Sequence, residues 1–376
     1  MSRRVLVTGL GFVSAAGETV EEHLAAFDRA VAPRVDASTF APYPVHSAVP
    51  LDWNRQIPKK SDQRQMELWQ RLGCYAAGLA LDSGGVKDDA ALKDRMHLIV
   101  AAGGGERDYA VDGAILTGLR DAPHPGSYLN ERLMGDLRPT LFLAQLSNLL
   151  AGNIAIVHGV TGASRTFMGE EAAGVDALRI ARERIAGNQA DIVLVGGAYN
   201  AERPDVLLIY EMGGFLWKEP YRPVFERPAP GGFVLGSSAA FLLLEAGDHA
   251  AARGARAFAE LARVASGRTR RQPGDVAASL RRLWAETGSG PEALVLSGAT
   301  GLAGITAEEW DALAELKPGS TPRATGDLLG HAMEAQAPAG AVIAAALLAR
   351  GDAADAVVTS VGHRRGEGVL RLTRWG

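Results

Sequence analysis

Thr166-Phe167-Met168-Gly169-Glu170-Glu171-Ala172-Ala173-Gly174-Val175-Asp176-Ala177-Leu178 is the stretch whose reading decides the fold. From Glu170 onward it reads as a helix. Val175, Leu178, Ala181 and Ile185 share one face, while Asp176, Arg179, Arg182 and Glu183 fall elsewhere. Glu170 and Glu171 stand at the positive end of that helix, where a carboxylate gains about 0.3–1 kcal/mol. Gly187-Asn188 supplies the stop. The next run, Asp191-Ile192-Val193-Leu194-Val195-Gly196-Gly197, is apolar enough for a central strand covered on both faces.

Working outward, the same alternation continues. Arg4 to Ser14 reads as a buried strand ending in a glycine turn, followed by a helix from about Val20 to Ala30. Residues 31–60 are rich in proline and polar turn residues and read as a surface loop. Leu68, Leu72, Tyr75 and Leu79 recur at helical spacing, and the helix ends near Asp82-Ser83-Gly84-Gly85. His97 to Gly103 is a buried strand, and Thr140 to Leu150 is helical. Phe233 to Gly236 and Ala239 to Glu245 complete a first half. In the second half, Ala257 to Val264 is a strand and Asp275 is the expected N-cap of a helix from Val276 to Glu286. Leu294 to Gly298 is a strand and turn. Glu308 to Leu316 and Pro338 to Arg350 are helical, and Ala356 to Ser360 and Val369 to Leu372 are strands. The pattern predicts an α/β protein with mostly parallel sheets in two halves, 1–247 and 248–376.

Composition narrows the function classes. The chain has 376 residues, 47% of them apolar, which is enough to bury a large core. Charged residues are 22% and the net charge is −4, so neither a nucleic-acid partner nor a polybasic membrane contact is expected. No apolar run reaches the roughly 18 residues of a membrane span, and no secretory leader is evident at Met1. A single cysteine, Cys74, suits a cytoplasmic setting and reads as a small core residue in mid-helix. The pair Gly9-x-Gly11 lacks the third glycine of a dinucleotide fingerprint, since Ser14 stands there, and no cofactor is expected.

Several blocks resemble the β-ketoacyl-acyl-carrier-protein synthase family, in order and over nearly the whole chain. Val5 to Gly17 is similar to its N-terminal strand and turn, and Ala190 to Gly197 to its A-D-V-x-x-x-G-G strand. Arg222-Pro223-Val224-Phe225 with Gly232-Phe233-Val234-Leu235-Gly236 resembles R-P-F-D…D-G-F-V-x-G. Thr325-Gly326-Asp327-Leu328-Leu329-Gly330 resembles T-G-H-x-x-G. The resemblance implies a thiolase-like, five-layer α-β-α-β-α fold with two related halves and a two-fold dimer.

It also implies where the family's Cys-His-His chemistry would stand. The nucleophilic cysteine position is Glu171. The first histidine corresponds to Ala299 within Ser297-Gly298-Ala299-Thr300-Gly301, and the second to Asp327. The family lysine matches Pro322, beside Arg323, and the glycine-rich turn near the C-terminus becomes Gly362-His363-Arg364-Arg365-Gly366-Glu367. The segment Gly267 to Pro273 is shorter than the family's loop. Gly169-Glu170-Glu171-Ala172-Ala173-Gly174-Val175-Asp176-Ala177 resembles the G-E-Q-A-G-G-L-D-A context of chain length factors. These are inactive homologues that pair with an active ketosynthase, and glutamate in place of glutamine adds a charge.

No catalytic residue is therefore expected. Glu170, His331 and His363 are candidates for a vestigial pocket. Asp327 and His331, four apart, would share a helical face and, with His363, form a polar plug, an acid–base cluster or a metal site; the plug is favoured and no metal is expected, because no ligand spacing is present. His23, His46, His97, His124, His158 and His249 show no catalytic spacing. Arg268, Arg270, Arg271, Arg364 and Arg365 read as solvated, with carrier-protein contact as the alternative. The resemblance points to a non-catalytic subunit of a heterodimeric ketosynthase that makes a polyketide, an aryl polyene or a specialised fatty acid, with acyl carrier protein as a further partner. The alternatives are a divergent enzyme with decarboxylase or acyltransferase activity and a homodimeric acyl- or carrier-protein-binding protein.

Overall fold

The apolar run Val5–Val13 forms β1, and every residue of it is buried. The remaining strands are β2 (Val45–His46), β3 (His97–Ala102), β4 (Ser164–Phe167), β5 (Ile192–Tyr199), β6 (Leu235–Gly236), β7 (Ser238–Ala246), β8 (Ala259–Gly267), β9 (Leu294–Ser297), β10 (Arg323–Ala324), β11 (Asp355–Val361) and β12 (Glu367–Thr373). The structure, a computed structural model, describes residues 3–29, 34–137, 140–319 and 321–376. Met1, Ser2, the expected helix end at Ala30 and the start of the 31–60 loop lie outside the described residues.

Ten strands run in the order β10-β9-β11-β12-β8-β1-β7-β5-β3-β4. Its two ends repeat one pattern. The first, second, third, fourth and fifth main strands of each half are placed third-second-fourth-fifth-first from the outer edge. The halves meet where β1 touches β8, through Leu6↔Glu260 and Val7↔Ala259. Helix Leu68–Ser83 covers β1, β5 and β7, and helix Asp275–Thr287 covers β8 and β12. Helices Glu171–Ala186 and Gln336–Arg350 pack on each other and on strands of both halves. Each half of the sheet is thus covered outside by its own helix and inside by the shared pair, the α-β-α-β-α order that the family resemblance implies.

Parallel pairing is less common than expected. β3 runs parallel to β4 and β5, and β9 to β10 and β11, while every other neighbouring pair of the large sheet is antiparallel. The reason is connectivity. β11 passes to β12 through the short turn at 362–366, and such a turn can join only antiparallel strands.

Three local expectations also change. Thr140 to Leu150 is broken, with helices at Thr140–Ala144 and Leu149–His158; Gln145 to Asn148, rich in polar side chains, make the turn between them. Asp275 is the first helical residue, and Gly274 (φ +86°) is the cap. The free N–H groups of Gly274, Val276 and Ala277 donate to Glu308 of the neighbouring helix. The 31–60 region is not wholly a surface loop, because Val45 and His46 form the buried β2 and pair with β6.

Val175, Leu178, Ala181 and Ile185 are all buried, as their spacing predicts. They belong to a core that also holds Val195, Leu242, Val342, Val358 and Leu370, so both halves feed one apolar interior. Helix Gln336–Arg350 is buried from Gln336 to Leu348, and its alanines and glycine let it lie deep between the sheets. Cys74 is fully buried in mid-helix, and burial pushes its thiol well above the usual range. No helix among the described residues is long and apolar enough to cross a membrane.

Gly9 and Gly11 have a packing role. A Cβ on Gly11 would stand 2.0 Å from the Ala76 carbonyl oxygen and 2.5 Å from the Ala80 nitrogen, so β1 and helix Leu68–Ser83 touch backbone to backbone. Gly11→Ala should therefore lower the unfolding free energy by about 1–3 kcal/mol, read as a lower urea midpoint, as for any overpacked core position. An unchanged midpoint would contradict this contact.

Candidate functional site

Glu171 is the first residue of helix Glu171–Ala186. Gly169 (φ +130°) and Glu170 (φ +57°, ψ −134°) make the sharp entry that turns its side chain inward. A non-glycine residue held in this region costs about 1–3 kcal/mol of strain. The Glu171 side chain is 2% exposed. Its Oε1 accepts from His331 Nε2 at 2.8 Å, from His363 Nδ1 at 2.9 Å and from the His363 backbone N–H at 3.1 Å.

Both histidines are placed by the backbone around them. His331 follows Gly330 (φ +71°); its N–H donates to the Val234 carbonyl and its carbonyl accepts from Gly236, which ties it beside β6. His363 sits in the β11–β12 turn, where the Gly362 N–H donates to the Gly366 carbonyl. Tyr210, Phe215 and Phe233 surround its ring edge to face, with centroids 5.0–5.6 Å away. Arg271 fastens the same turn through Glu367 and the carbonyls of Gly362 and Gly366.

The charges are coupled. Burial works against ionisation of Glu171, but the His331 and His363 hydrogen bonds override it and hold the carboxyl well below the usual carboxylate range. Burial also disfavours a charged His363, and the hydrogen bond and charge of Glu171 override that, raising its pKa above the ordinary histidine value. Glu334 is the opposite case. It is buried, its Oε2 has no hydrogen-bond partner, and burial together with the charges of Glu171 and Glu170 pushes its carboxyl up to about 7. Glu170 accepts from Tyr210 Oη at 3.2 Å and lies 3.6 Å from His363 Nε2. Glu170, Tyr199, Arg203, Tyr210 and Glu334 line a cleft of about 460 Å³.

The candidates are thus divided between two places. Glu170, Glu171, His331 and His363 meet; Asp327 and Ala299 do not join them. Helix Gly326–Leu329 ends before His331, so Asp327 and His331 share no helical face. Asp327 instead accepts from the Val224 N–H at 2.6 Å and lines a separate cleft of about 470 Å³ with Phe225, Arg227 and Trp310. Burial raises its pKa, partly offset by that backbone bond. Ala299 is buried against Val224 and Ala324. Arg323 lies over the Phe27 ring, 3.3 Å from its centroid. Of the arginines read as solvated, Arg268, Arg270, Arg364 and Arg365 are exposed, whereas Arg271 is largely covered. Sequence reading missed Glu334 and Tyr210. An acidic residue inside His331-Ala332-Met333-Glu334-Ala335 was a usable signal for the first; Tyr210 had none.

Residues 2–250 match the family model for the β-ketoacyl synthase N-terminal domain. The chain belongs to the β-ketoacyl synthase family. Over 273 residues it is 29% identical to the 3-oxoacyl-acyl-carrier-protein synthase 2 of Vibrio harveyi, covering 69% of this chain and 61% of that protein. The matched part is thus about three fifths of that relative's length. Over 336 residues it is 27% identical to the tetracenomycin polyketide synthase ketoacyl synthase beta subunit of Streptomyces glaucescens, covering 85% and 78%. The solved ishigamide ketosynthase/chain length factor superposes with a TM-score of 0.82 over the whole of both chains at 22% identity. That likeness establishes the thiolase-type fold of this β-ketoacyl synthase homologue.

The Glu171 cluster sets a pH window. The folded carboxyl titrates below its unfolded value of about 4.3, so its contribution is present above that pH and is lost as pH falls. His363 titrates above about 6.5, so its contribution is present below that pH and is lost as pH rises through the raised value. The stability difference between the native chain and Glu171→Gln should therefore peak between about pH 4.3 and 6.5 in denaturant titrations. Glu171→Ala should cost about 3–5 kcal/mol, because it strands buried donors. A flat difference across pH would mean that Glu171 and His363 are not charge-coupled.

Proposed function

We propose that this chain is a chain-length-factor-like subunit that pairs with a catalytically intact ketosynthase and carries out no condensation itself. The observation that carries the reading is Glu171. At the helix start where the family resemblance expects a thiolate, a buried carboxylate holds two imidazoles. A carboxylate offers no sulfur for an acyl thioester, and its Oε1 is already occupied by three donors. Similarity to a ketosynthase beta subunit and to a ketosynthase/chain length factor structure supports the same reading. The pathway would make a polyketide, an aryl polyene or a specialised fatty acid, with acyl carrier protein delivering the chain to the partner. The halves 1–247 and 248–376 are the proposed structural units.

One edge of the large sheet supports the pairing reading. β4 is one of its two edge strands. Met168 follows β4 directly and is 65% exposed. Ile156 lies on helix Leu149–His158, which packs on β4, and is 70% exposed. Leu208, Ile209 and Met212 are exposed on helix Pro204–Met212, and Ile209 borders the cleft beside Glu170. An open strand edge next to exposed apolar side chains marks an association surface.

One observation favours a second reading. Glu334, with a carboxyl near neutral titration at the edge of a cleft, has the properties of a general acid or base, so a divergent decarboxylase or acyltransferase is the alternative. Native mass spectrometry after co-expression with an intact ketosynthase separates the two. A 1:1 heterodimer is expected, with condensing activity only in the pair. Ile156→Asp combined with Met212→Asp should weaken pairing about tenfold or more while leaving the chain folded. Turnover of malonyl-carrier protein by the isolated chain, lost in Glu334→Gln, would overturn the pairing reading.

A further inference from the structure

Two ring nitrogens at the Glu171 cluster, His331 Nδ1 and His363 Nε2, have no hydrogen-bond partner among the described residues, and that of His363 faces a second carboxylate. The His363 side chain is fully covered. Its Nδ1–H donates to Glu171 Oε1 at 2.9 Å, which orients the ring. Its Nε2 has no hydrogen-bond partner among the described residues. A buried ring nitrogen without a partner needs an explanation.

The nearest carboxylate oxygen facing this nitrogen is Glu170 Oε1, at 3.6 Å. That is too long for a hydrogen bond. It is close to the separation of two neighbouring ligands around a tetrahedral ion: bonds of about 2.0–2.1 Å place them about 3.3 Å apart. Donor atoms of Glu170, Glu171 and His363 all lie within 4.8 Å of one another. A carboxylate that holds the far nitrogen of a ligating imidazole is a recurrent arrangement around protein-bound metals, because it orients the ring and raises its basicity. Glu171 stands in that position. Glu170 also borders the 460 Å³ cleft, which offers an entry path and water, and Glu334, with its unpartnered Oε2, lines the same cleft.

We propose that Glu170 and His363 bind a divalent transition-metal ion such as zinc, with Glu171 orienting the imidazole and water from the cleft completing the shell. A mixed nitrogen and carboxylate donor set suits zinc, cobalt or nickel, whereas magnesium and calcium favour all-oxygen shells. The site is independent of pairing: a chain that binds no metal can still associate with a ketosynthase, and a chain that binds metal need not.

The test is a titration of chelator-treated full-length protein with Zn²⁺ and with Co²⁺, followed by calorimetry and by the visible absorption of bound cobalt. The expected result is one saturable ion per chain, with cobalt absorption of low coordination number, unaffected by millimolar Mg²⁺. Glu170→Gln should weaken binding tenfold or more, and His363→Gln should abolish it. Asp327→Asn, in the other cleft, should leave it unchanged. Should His363→Gln fail to fold, Glu170→Gln decides alone, since Glu170 is partly exposed and its loss leaves the core intact. Absence of saturable binding would overturn the proposal, and so would full affinity in Glu170→Gln, which would place the ion elsewhere on the chain.

Discussion

The hydrogen bonds to Glu171 Oε1 hold together segments that the chain order keeps far apart. The carboxylate belongs to the helix after β4, His331 to the segment after β10, and His363 to the β11–β12 turn. Each would be costly to bury alone: a desolvated carboxylate without donors, two rings without acceptors, and a strained Glu170 backbone. Together they supply the carboxylate with donors and each ring with one acceptor. Arg271, Glu367 and the aromatic rings around His363 form the supporting shell that keeps the turn at the carboxylate.

This cluster can sit at the centre because the two halves share an interior. Helices Glu171–Ala186 and Gln336–Arg350 lie between the sheets and contribute to one apolar core. Close approach needs small residues. At Gly174 a Cβ would stand 2.6 Å from the Glu334 carbonyl oxygen, so the helix that carries Glu171 touches the segment that carries Glu334. The same closeness explains why Glu334 experiences the charges of Glu170 and Glu171, which together with burial push its carboxyl up to about 7.

Much of the fold was legible, for physical reasons. The helical face Val175, Leu178, Ala181 and Ile185 and the apolar strand after Asp191 have periodicities that burial enforces. Strand direction was not legible, because β12 reads as an apolar run whether it runs up or down the sheet. The site was half legible. Glu171 followed from the family frame, and His363 from its place in the C-terminal turn. Matching motifs residue by residue put Asp327 at the second histidine position, yet the left-handed Gly330 ends that helix and delivers His331 to the carboxylate. Asp327 turns to the Val224 amide instead. A local motif fixes residue identity, while the direction of a side chain depends on a backbone break up to three residues away. Glu308, which caps a helix from outside it, was invisible for the same reason: its partners lie about thirty residues earlier.

The sheet order has a consequence in time. β1 is synthesised before the strands that flank it: Val5 pairs with Ala246 and Leu6 with Glu260, so both of its neighbours are made long after it. A strand that is buried along its whole length must therefore wait unpaired while most of its half is made. Such distant pairings slow folding and leave apolar edges open meanwhile. The newborn chain thus holds β1 without a partner until residue 246 emerges, and β1 gains its second neighbour, β8, only once synthesis has passed residue 260.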